Sequence, residues 1–135
     1  MDLEILNIAS YTNNLKNIGN YTHHYKLKNS LCGDEIKIKL LVEKNKIKDF
    51  GYQGNSCIYC QASASMLSKI SIDKNIEKIN DLCSRASTFF TSKVIVIDNE
   101  FISLKKLFKK KNYSRKECIL LPFKTLKKTL DNSKK

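Results

Sequence analysis

Three well-separated segments of the sequence each place a cysteine close to a predicted end of a helix or strand. Cys32 lies in LCGDEIKIKL, Cys57 in GNSCIYCQASASML and Cys118 in RKECILLPF. A thiolate is both a metal ligand and a nucleophile, and the free N–H groups of a helix N-terminus lower the pKa of a thiol placed there. We therefore expect Cys57 and Cys118, each at the predicted start of a helix, to have activated thiols.

Two neighbours of Cys32 add to a metal site. Gly33 allows a tight turn or a close approach to a bound ion, and Asp34 offers a hard oxygen ligand that exchanges more readily than sulfur. Three thiolates and one carboxylate suit tetrahedral zinc or iron, and such a mixed site favours transient binding and release. A structural zinc ribbon requires two Cys-x-x-Cys pairs, and this chain has one. The candidate ligands are Cys32, Asp34, Cys57 and Cys118.

The Cys-x-x-Cys pair of Cys57 and Cys60 has three interpretations by itself: a redox pair, half of a metal site, or two small buried thiols. On a helix that starts at Cys57, Cys60 lies one turn further on roughly the same face, so its sulfur can reach the site. Cys60 is therefore either a packed core thiol or an extra ligand or resolving thiol. Cys83, beside Leu82 in a predicted helix, is expected in the core.

Length and composition indicate one globular domain, residues 1–135. Hydrophobic residues make up 41% of the chain and charged residues 28%, which suits a packed core. No apolar run approaches the roughly 20 residues of a membrane helix, and the N-terminus carries an early acid and no basic segment. Five cysteines without a signal peptide argue against a disulfide framework. We expect a cytoplasmic monomer or weak dimer with reduced thiols and no membrane contact.

Almost all of the basic residues are lysines. The net charge is +12, and only Arg85 and Arg115 among the 25 basic residues are arginines. Lysine is abundant together with Ile and Asn, a bias that AT-rich coding produces without selection for binding. The lysine-rich segments have three interpretations: solvated helix faces with a tail from about residue 128, a docking surface for an acidic protein, or a nucleic-acid surface. Scarce arginine argues against nucleic acid, because base and phosphate recognition favour its planar fork.

Apolar periodicity predicts a sheet near the N-terminus. EIKIKLLVE alternates apolar and lysine side chains as a half-buried strand does, and IKDFGYQG pairs with it as a hairpin. HHYKLKNS is a first extended segment, and LEILNIASYTNNL predicts an amphipathic helix that ends by Gly19.

Helices dominate the remainder. QASASMLSKI predicts a helix whose small residues pack closely against the sheet while the site loops converge over its start. Asp73 is the expected N-cap of a helix through IEKINDLCSRASTFF, a further helix starts near Asp98, and LPFKTLKKTL forms the last helix with Pro122 in its first turns. This order predicts an α+β fold with helices on one face of a small antiparallel sheet.

The segments NSLCGD, GNSCIYCQASASM and RKECILLPF together resemble the three signatures of the IscU/SufU/NifU-N family of iron–sulfur cluster assembly scaffolds, over about residues 20 to 130. The resemblance implies a three-stranded antiparallel sheet packed with helices. It also implies a site of Cys32, Asp34, Cys57 and Cys118 that binds a [2Fe–2S] cluster, iron or zinc. Such proteins accept persulfide sulfur from a cysteine desulfurase and pass sulfur or cluster onward. Cys57 would then serve this site rather than a separate redox pair.

The third segment resembles the SufU type most. Arg115, Cys118, Leu121 and Phe123 are similar to its Arg-x-x-Cys-x-x-Leu-x-Trp pattern, and the Leu-Pro-Pro-Val-Lys motif of the IscU type is absent. This implies a SufS-like desulfurase as partner and a Suf scaffold or apo-proteins as acceptors. The chain itself would be a scaffold or sulfur acceptor rather than a conventional enzyme, with a zinc-dependent sulfurtransferase as the alternative. Cys32 is the candidate persulfide acceptor, and Cys118 is its rival.

Several positions depart from the family pattern. Ser30 replaces a proline, which loosens the loop before Cys32, and Ser56 replaces a glycine, so a positive φ there would be strained. Tyr59 and Phe123 replace an isoleucine and a tryptophan, and Cys60 replaces the usual serine. The alternative function is a structural zinc-binding module that docks to a protein partner through its basic helices. That module would unfold on chelation and would carry no persulfide.

Overall fold

A computed structural model describes residues 2–92 and 97–133 of the chain. Three strands, five α-helices and two 3₁₀ helices form in this part, and no described helix has the length and apolar character needed to cross a membrane. In chain order the elements are α1 (Leu3–Ala9), β1 (His23–Lys28), β2 (Glu35–Glu43), β3 (Lys46–Asn55), α2 (Ile58–Ser71), α3 (Ile76–Ser87), α4 (Phe89–Ser92), the 3₁₀ helices Asn99–Lys106 and Lys110–Arg115, and α5 (Lys116–Leu130).

The three strands form one antiparallel sheet in the order β1-β2-β3, which confirms the predicted sheet. The boundaries of β2 coincide with the predicted EIKIKLLVE segment, whose alternate residues Ile36, Ile38 and Leu40 are buried. Lys44 and Asn45 connect β2 to β3 and both have positive φ, as a two-residue hairpin turn requires. This hairpin fixes a register in which Glu35 faces Asn55, so the chain segments that carry Asp34 and Ser56 meet at one sheet end.

The small residues of α2 allow close packing with other helices. The sheet is only a minor neighbour of α2, which packs mainly against α1 and α5. The Ser63 hydroxyl donates a hydrogen bond to the Ile119 carbonyl of α5 at 2.6 Å, and Ser65 donates to the Tyr11 carbonyl at 2.6 Å. Both serines are buried. The alanine–serine segment thus ties the start of α2 to α5, the helix that carries Cys118.

Two predicted helix boundaries, the end of α1 and the start of α3, are wrong. Helix α1 ends at Ala9 rather than continuing through Leu15. The N-cap of α3 is Asn75, whose side chain accepts a hydrogen bond from the Glu77 N–H, whereas Asp73 has a φ of 67° in the preceding turn. Asp73 and Asn75 both satisfy the capping preference, so the sequence alone does not show which of the two is the N-cap.

The segment after Asp98 forms 3₁₀ helices instead of the predicted α-helix, with a kink at Phe101. Its apolar residues Leu104, Leu107 and Phe108 are nevertheless buried as expected. Helix α5 begins at Lys116, earlier than the predicted LPFKTLKKTL segment. It continues through Leu130, and the Asn132 side chain then donates a hydrogen bond to the His24 carbonyl at 2.6 Å.

Candidate metal and cluster site

The loop between β1 and β2 carries Cys32 and is organised by Asn29. The Asn29 side-chain oxygen accepts hydrogen bonds from the backbone N–H groups of Leu31 at 2.8 Å and Cys32 at 3.3 Å. Its own backbone N–H donates to the Asp34 carbonyl, and its carbonyl accepts from Gly33. Gly33 has a φ of 77°, which favours glycine. The loop therefore has a defined shape although Ser30 stands where the family pattern has proline, and Cys32 at its tip is exposed.

Cys57 is the N-cap residue of α2, which confirms its predicted place at the start of that helix. Just before Cys57, strand β3 lies so close to β2 at Gly54 that a Cβ atom there would overlap the Glu35 carbonyl oxygen. Ser56 is outside the set of residues with positive φ, so its replacement of glycine causes no strain of that kind. The Cys57 N–H donates a hydrogen bond to Asp34 Oδ1 at 3.2 Å, which links the second cysteine to the first loop.

Cys118 lies in the first turn of α5 and is buried. Two contacts position this turn: the Ser63 hydroxyl binds the Ile119 carbonyl, and the Asn29 side chain donates to Glu117 Oε2 at 3.2 Å. Pro122 lies four residues after Cys118 and has no N–H, so the Cys118 carbonyl lacks its regular helical donor. The turn that carries the third cysteine is thus fixed from both α2 and the Cys32 loop.

Cys32, Asp34 and Cys118 converge, with one ligand atom of each lying within 4.8 Å of the others. Cys57 is outside this group, but its N–H donates a hydrogen bond to the Asp34 carboxylate, and its thiol contributes to the raised pKa of Cys118. Asp34 is 8% exposed, and its Oδ2 atom is buried without a hydrogen-bond partner in the described part of the chain. A buried free carboxylate oxygen among thiols is the donor set expected around a cation. These residues fit a bound metal or cluster.

The thiol of Cys118 differs from its predicted state. A helix N-terminus was expected to lower its pKa, but burial raises the pKa of Cys118, and the hydrogen bond to Cys57 and the charges of neighbouring site groups raise it further. Desolvation therefore outweighs the helix dipole at this position. In the absence of a cation, Cys118 is a protonated thiol, and a bound metal would have to displace that proton.

Cys60 is fully buried beneath the start of α2. Burial raises the pKa of its thiol to about 12, against the opposing effect of a hydrogen bond with the Ser56 side chain. Since Asp34 and Cys57 add smaller electrostatic effects on this thiol, it lies near the site rather than deep in the core. Cys83 is buried in α3, as predicted for a core residue.

Sequence reasoning missed the structural role of Asn29 and the contact made by Arg115, which it placed only in the SufU-type pattern. Asn29 shapes the Cys32 loop, because its side chain accepts hydrogen bonds from the backbone N–H groups two and three residues later. This arrangement is an Asx turn, and an Asn at the start of a loop is the sequence signal that could have identified it. Arg115 stacks over the Tyr59 ring with its guanidinium carbon 5.2 Å from the ring centroid. This contact joins the residues next to Cys57 and Cys118, and the sequence carries no short-range signal for it because the two positions are far apart.

Comparison with known proteins identifies the family of this chain. Residues 6–89 match the family described as NifU-like N terminal domain. The iron–sulfur cluster assembly scaffold protein IscU of Thermotoga maritima is 34% identical to this chain over 104 residues, which cover 76% of the chain and 72% of that protein.

Solved structures share the fold over nearly the whole chain. A Fervidobacterium islandicum structure, assigned as an iron–sulfur cluster assembly scaffold protein for the SUF system, has a TM-score of 0.87 and 26% identity and covers 96% of both chains. The N-terminal part of a nitrogen-fixing NifU-like protein from Brucella abortus has a TM-score of 0.87 at 17% identity, covering 96% of this chain and 91% of that one. The second likeness concerns the fold alone, and both confirm the α+β architecture.

Proposed function

Since this chain belongs to the NifU-like N-terminal domain family of iron–sulfur cluster assembly scaffolds, we propose that it accepts sulfur from a cysteine desulfurase and holds a [2Fe–2S] cluster, iron or zinc at one site. The proposed ligands are Cys32, Asp34, Cys57 and Cys118. The observation that carries this proposal is the convergence of Cys32, Asp34 and Cys118 within 4.8 Å, with the Cys57 N–H bonded to the Asp34 carboxylate.

The accessibility of the thiols favours Cys32 as the sulfur acceptor. Transfer requires that a donor persulfide reach a thiol of this chain, and Cys32 is exposed whereas Cys118 is buried. A bound cation keeps a ligand thiol deprotonated and protected, and release of Cys32 from that cation would free a nucleophile at the surface. Cys118 then remains as the inner ligand that holds the cargo.

We propose a SufS-like desulfurase as the donor, and a Suf scaffold or apo-proteins as acceptors. Two observations support this: the third cysteine segment is similar to the SufU type, and a structure assigned to the SUF system shares 26% identity with this chain. The exposed side chain of Leu31 beside Cys32 offers an apolar contact for a docking partner at the acceptor loop.

The ligand set is tested by counting metal in single variants. Anaerobically purified wild type is expected to bind one zinc ion or one cluster per chain, and Cys57→Ala and Cys118→Ala are expected to lose it. Cys83→Ala is the matched control, because Cys83 is also buried but lies in α3. Full metal binding and full desulfurase stimulation in both site variants would exclude the proposal.

The acceptor is tested by mass spectrometry after incubation with a cysteine desulfurase and cysteine. The expected product carries an additional sulfur atom on the peptide that contains Cys32. This adduct disappears in Cys32→Ala and persists in Cys83→Ala. An adduct on Cys118 in the wild type would assign the acceptor to that residue instead.

The competing function, a structural zinc module, predicts a fold that depends on the metal. The hydrophobic core is continuous from the sheet through α2 and α5 and includes large residues remote from the site, such as Phe50, Leu67 and Phe101. We therefore expect the helical circular dichroism spectrum to survive removal of zinc by a chelator. Loss of that spectrum on chelation, together with the absence of persulfide, would favour the structural module.

A further inference from the structure

We propose that Cys57 and Cys60 form a dithiol at the start of α2 that closes reversibly to a disulfide and so withdraws Cys57 from the metal and cluster site. Formation of the disulfide depends only on the geometry of α2. The effect on metal binding rests on the proposed function.

The positions of the two cysteines on α2 bring their side chains together. Cys57 is the N-cap, with extended backbone angles of φ −73° and ψ 169°, and Cys60 is the third residue of the helix. At a helix N-terminus the side chains of the N-cap and N3 residues lie next to each other, which is the basis of the capping box. Cys57 makes no capping hydrogen bond with its side chain. Its thiol is therefore free to pair with the thiol at N3.

The Cys60 thiol faces the start of the helix. Cys60 is the third residue of α2, one turn after the N-cap Cys57. Side chains of an α-helix point back toward its N-terminus, which explains this direction. Cys60 is fully buried whereas Cys57 is half-buried. One thiol is thus open to a reagent, and the other is held behind it to complete the reaction.

Asp34 is an independent sign that this region is a reactive site rather than ordinary core. Its carboxylate is held by the Cys57 N–H through Oδ1, while Oδ2 is buried and has no hydrogen-bond partner among the described residues. A packed apolar core excludes such a group. The volume around Asp34 and the start of α2 is therefore built to hold a polar or charged group, and Cys60 borders it.

Cys118 is the competing partner for Cys57, because Asp34 lies beside both residues. Cys60 has the advantage of proximity along the chain. Two residues separate it from Cys57, so closure of this ring needs little ordering of the chain. The distance from Cys57 to Cys118 depends instead on the packing of α2 against α5. Local opening of the site therefore separates Cys57 from Cys118 and leaves it beside Cys60.

The reaction is a thiol–disulfide exchange with a small disulfide such as oxidised glutathione. The thiolate of Cys57 attacks one glutathione sulfur, forms a mixed disulfide and releases one reduced glutathione. The Cys60 sulfur then attacks the Cys57 sulfur while its proton passes to the departing glutathione sulfur, which forms the Cys57–Cys60 bond and releases the second reduced glutathione. The two protein thiols lose two protons and two electrons, and the reagent is reduced to two thiols. A dithiol reductant reverses the exchange.

Peptide mapping tests the pairing directly. Trypsin cleavage after Lys48 and Lys69 yields one peptide, residues 49–69, that contains both cysteines, while Cys118 falls in residues 117–124. After treatment of metal-free protein with oxidised glutathione, peptide 49–69 is expected to lose two hydrogens, a mass decrease of about 2 Da. A peptide of unchanged mass, or a covalent link between 49–69 and 117–124, would overturn the proposal.

Variants of Cys60 test its role as the resolving thiol. In Cys60→Ala and Cys60→Ser the exchange is expected to stop at the first step, so peptide 49–69 gains one glutathione on Cys57. Cys83→Ser is the matched control and is expected to give the internal disulfide, as the wild type does. Equal accumulation of the glutathione adduct in wild type and Cys60 variants would show that Cys60 does not resolve it.

Zinc titration tests the consequence for the site. Oxidised wild type is expected to bind Zn²⁺ at least about tenfold more weakly than reduced wild type, and dithiothreitol is expected to restore binding. If protein with a mapped Cys57–Cys60 disulfide binds Zn²⁺ as tightly as the reduced protein, the disulfide does not withdraw Cys57 from the site, and this part of the proposal is overturned. Failure of the reduced protein to bind Zn²⁺, iron or a cluster would instead refute the proposed function, and the peptide map would stand by itself.

Discussion

The Cys32 loop and the Cys118 turn deliver their thiols to the same carboxylate in opposite ways. The loop places Cys32 at an exposed tip and holds it through backbone N–H groups that donate hydrogen bonds to one side chain, Asn29. The turn buries Cys118 in α5, where contacts from α2 and from the loop fix its position. One side of the site is therefore open to a partner and depends on local bonds, whereas the other is part of the core. This difference suggests separate roles in sulfur acceptance and in holding the cargo.

Thiol reactivity gives the largest expected contrast between the two. In metal-free reduced protein, iodoacetamide is expected to modify Cys32 faster than Cys118 by about two orders of magnitude, because Cys118 is buried and its pKa is raised. The measurement is a time course of alkylated tryptic peptides. The same course in urea is the control, since unfolding exposes both thiols and should equalise their rates. Equal rates in the folded protein would remove the proposed distinction between outer and inner ligand.

The Asn29→Ala variant tests whether local hydrogen bonds hold the open side of the site. Loss of the bonds to Leu31 and Cys32 frees the loop, and removal of a residue that orients a ligand typically costs 10–100-fold in metal affinity. We expect a decrease in Zn²⁺ affinity of roughly tenfold or more, measured by competition with a chromogenic chelator. Ser30→Ala, at an exposed position in the same loop, is expected to bind as the wild type does. Equal affinities in Asn29→Ala and Ser30→Ala would mean that the loop needs no such support.

The two sides of the site also differ in how far the sequence predicts them. The start of α2 at Cys57 and the limits of β2 follow from local patterns, namely a small-residue run after the hairpin and strict alternation of apolar residues. The start of α5 does not follow from a local pattern. Proline is typical of the first turn of a helix, but Pro122 lies in the second turn of α5. The N-cap of α3 was misplaced at Asp73 because Asn75 has a similar capping preference.

The thiol pKa at Cys118 could not be predicted from sequence either. Sequence patterns locate a helix end and therefore its dipole, but they do not show how much solvent the neighbouring elements exclude. At Cys118 that exclusion, together with the Cys57 thiol, raises the pKa against the dipole. Long-range packing decides this property, as it decides that Asp34 is buried beside three thiols.

The pH dependence of Zn²⁺ binding tests the raised pKa of Cys118. A protonated thiol must release its proton to bind the metal, so affinity is lost as pH falls below the raised pKa, by about tenfold per pH unit for this one group. Cys118→Asp replaces the thiol with a carboxyl group that is ionised between about pH 6 and 8. The slope of log affinity against pH is therefore expected to decrease by about one in this variant. An unchanged slope would mean that Cys118 carries no proton to displace.

The smallest expected effect concerns the bond that joins α2 to the turn carrying Cys118. Ser63→Ala removes the 2.6 Å hydrogen bond from the Ser63 hydroxyl to the Ile119 carbonyl and should lower the free energy of unfolding by about 1 kcal/mol in urea titrations. Ser71→Ala is the matched control, because the Ser71 hydroxyl is equally buried but donates within its own helix, to the Leu67 carbonyl at 2.6 Å. If the bond to α5 also sets the position of Cys118, Ser63→Ala weakens Zn²⁺ binding and Ser71→Ala does not. The two variants then differ in Zn²⁺ affinity even when they lose a similar free energy of unfolding. Equal affinities would show that the Ser63 bond is not needed to position Cys118, and that the packing of α5 and the hydrogen bond from Asn29 to Glu117 hold the buried side of the site.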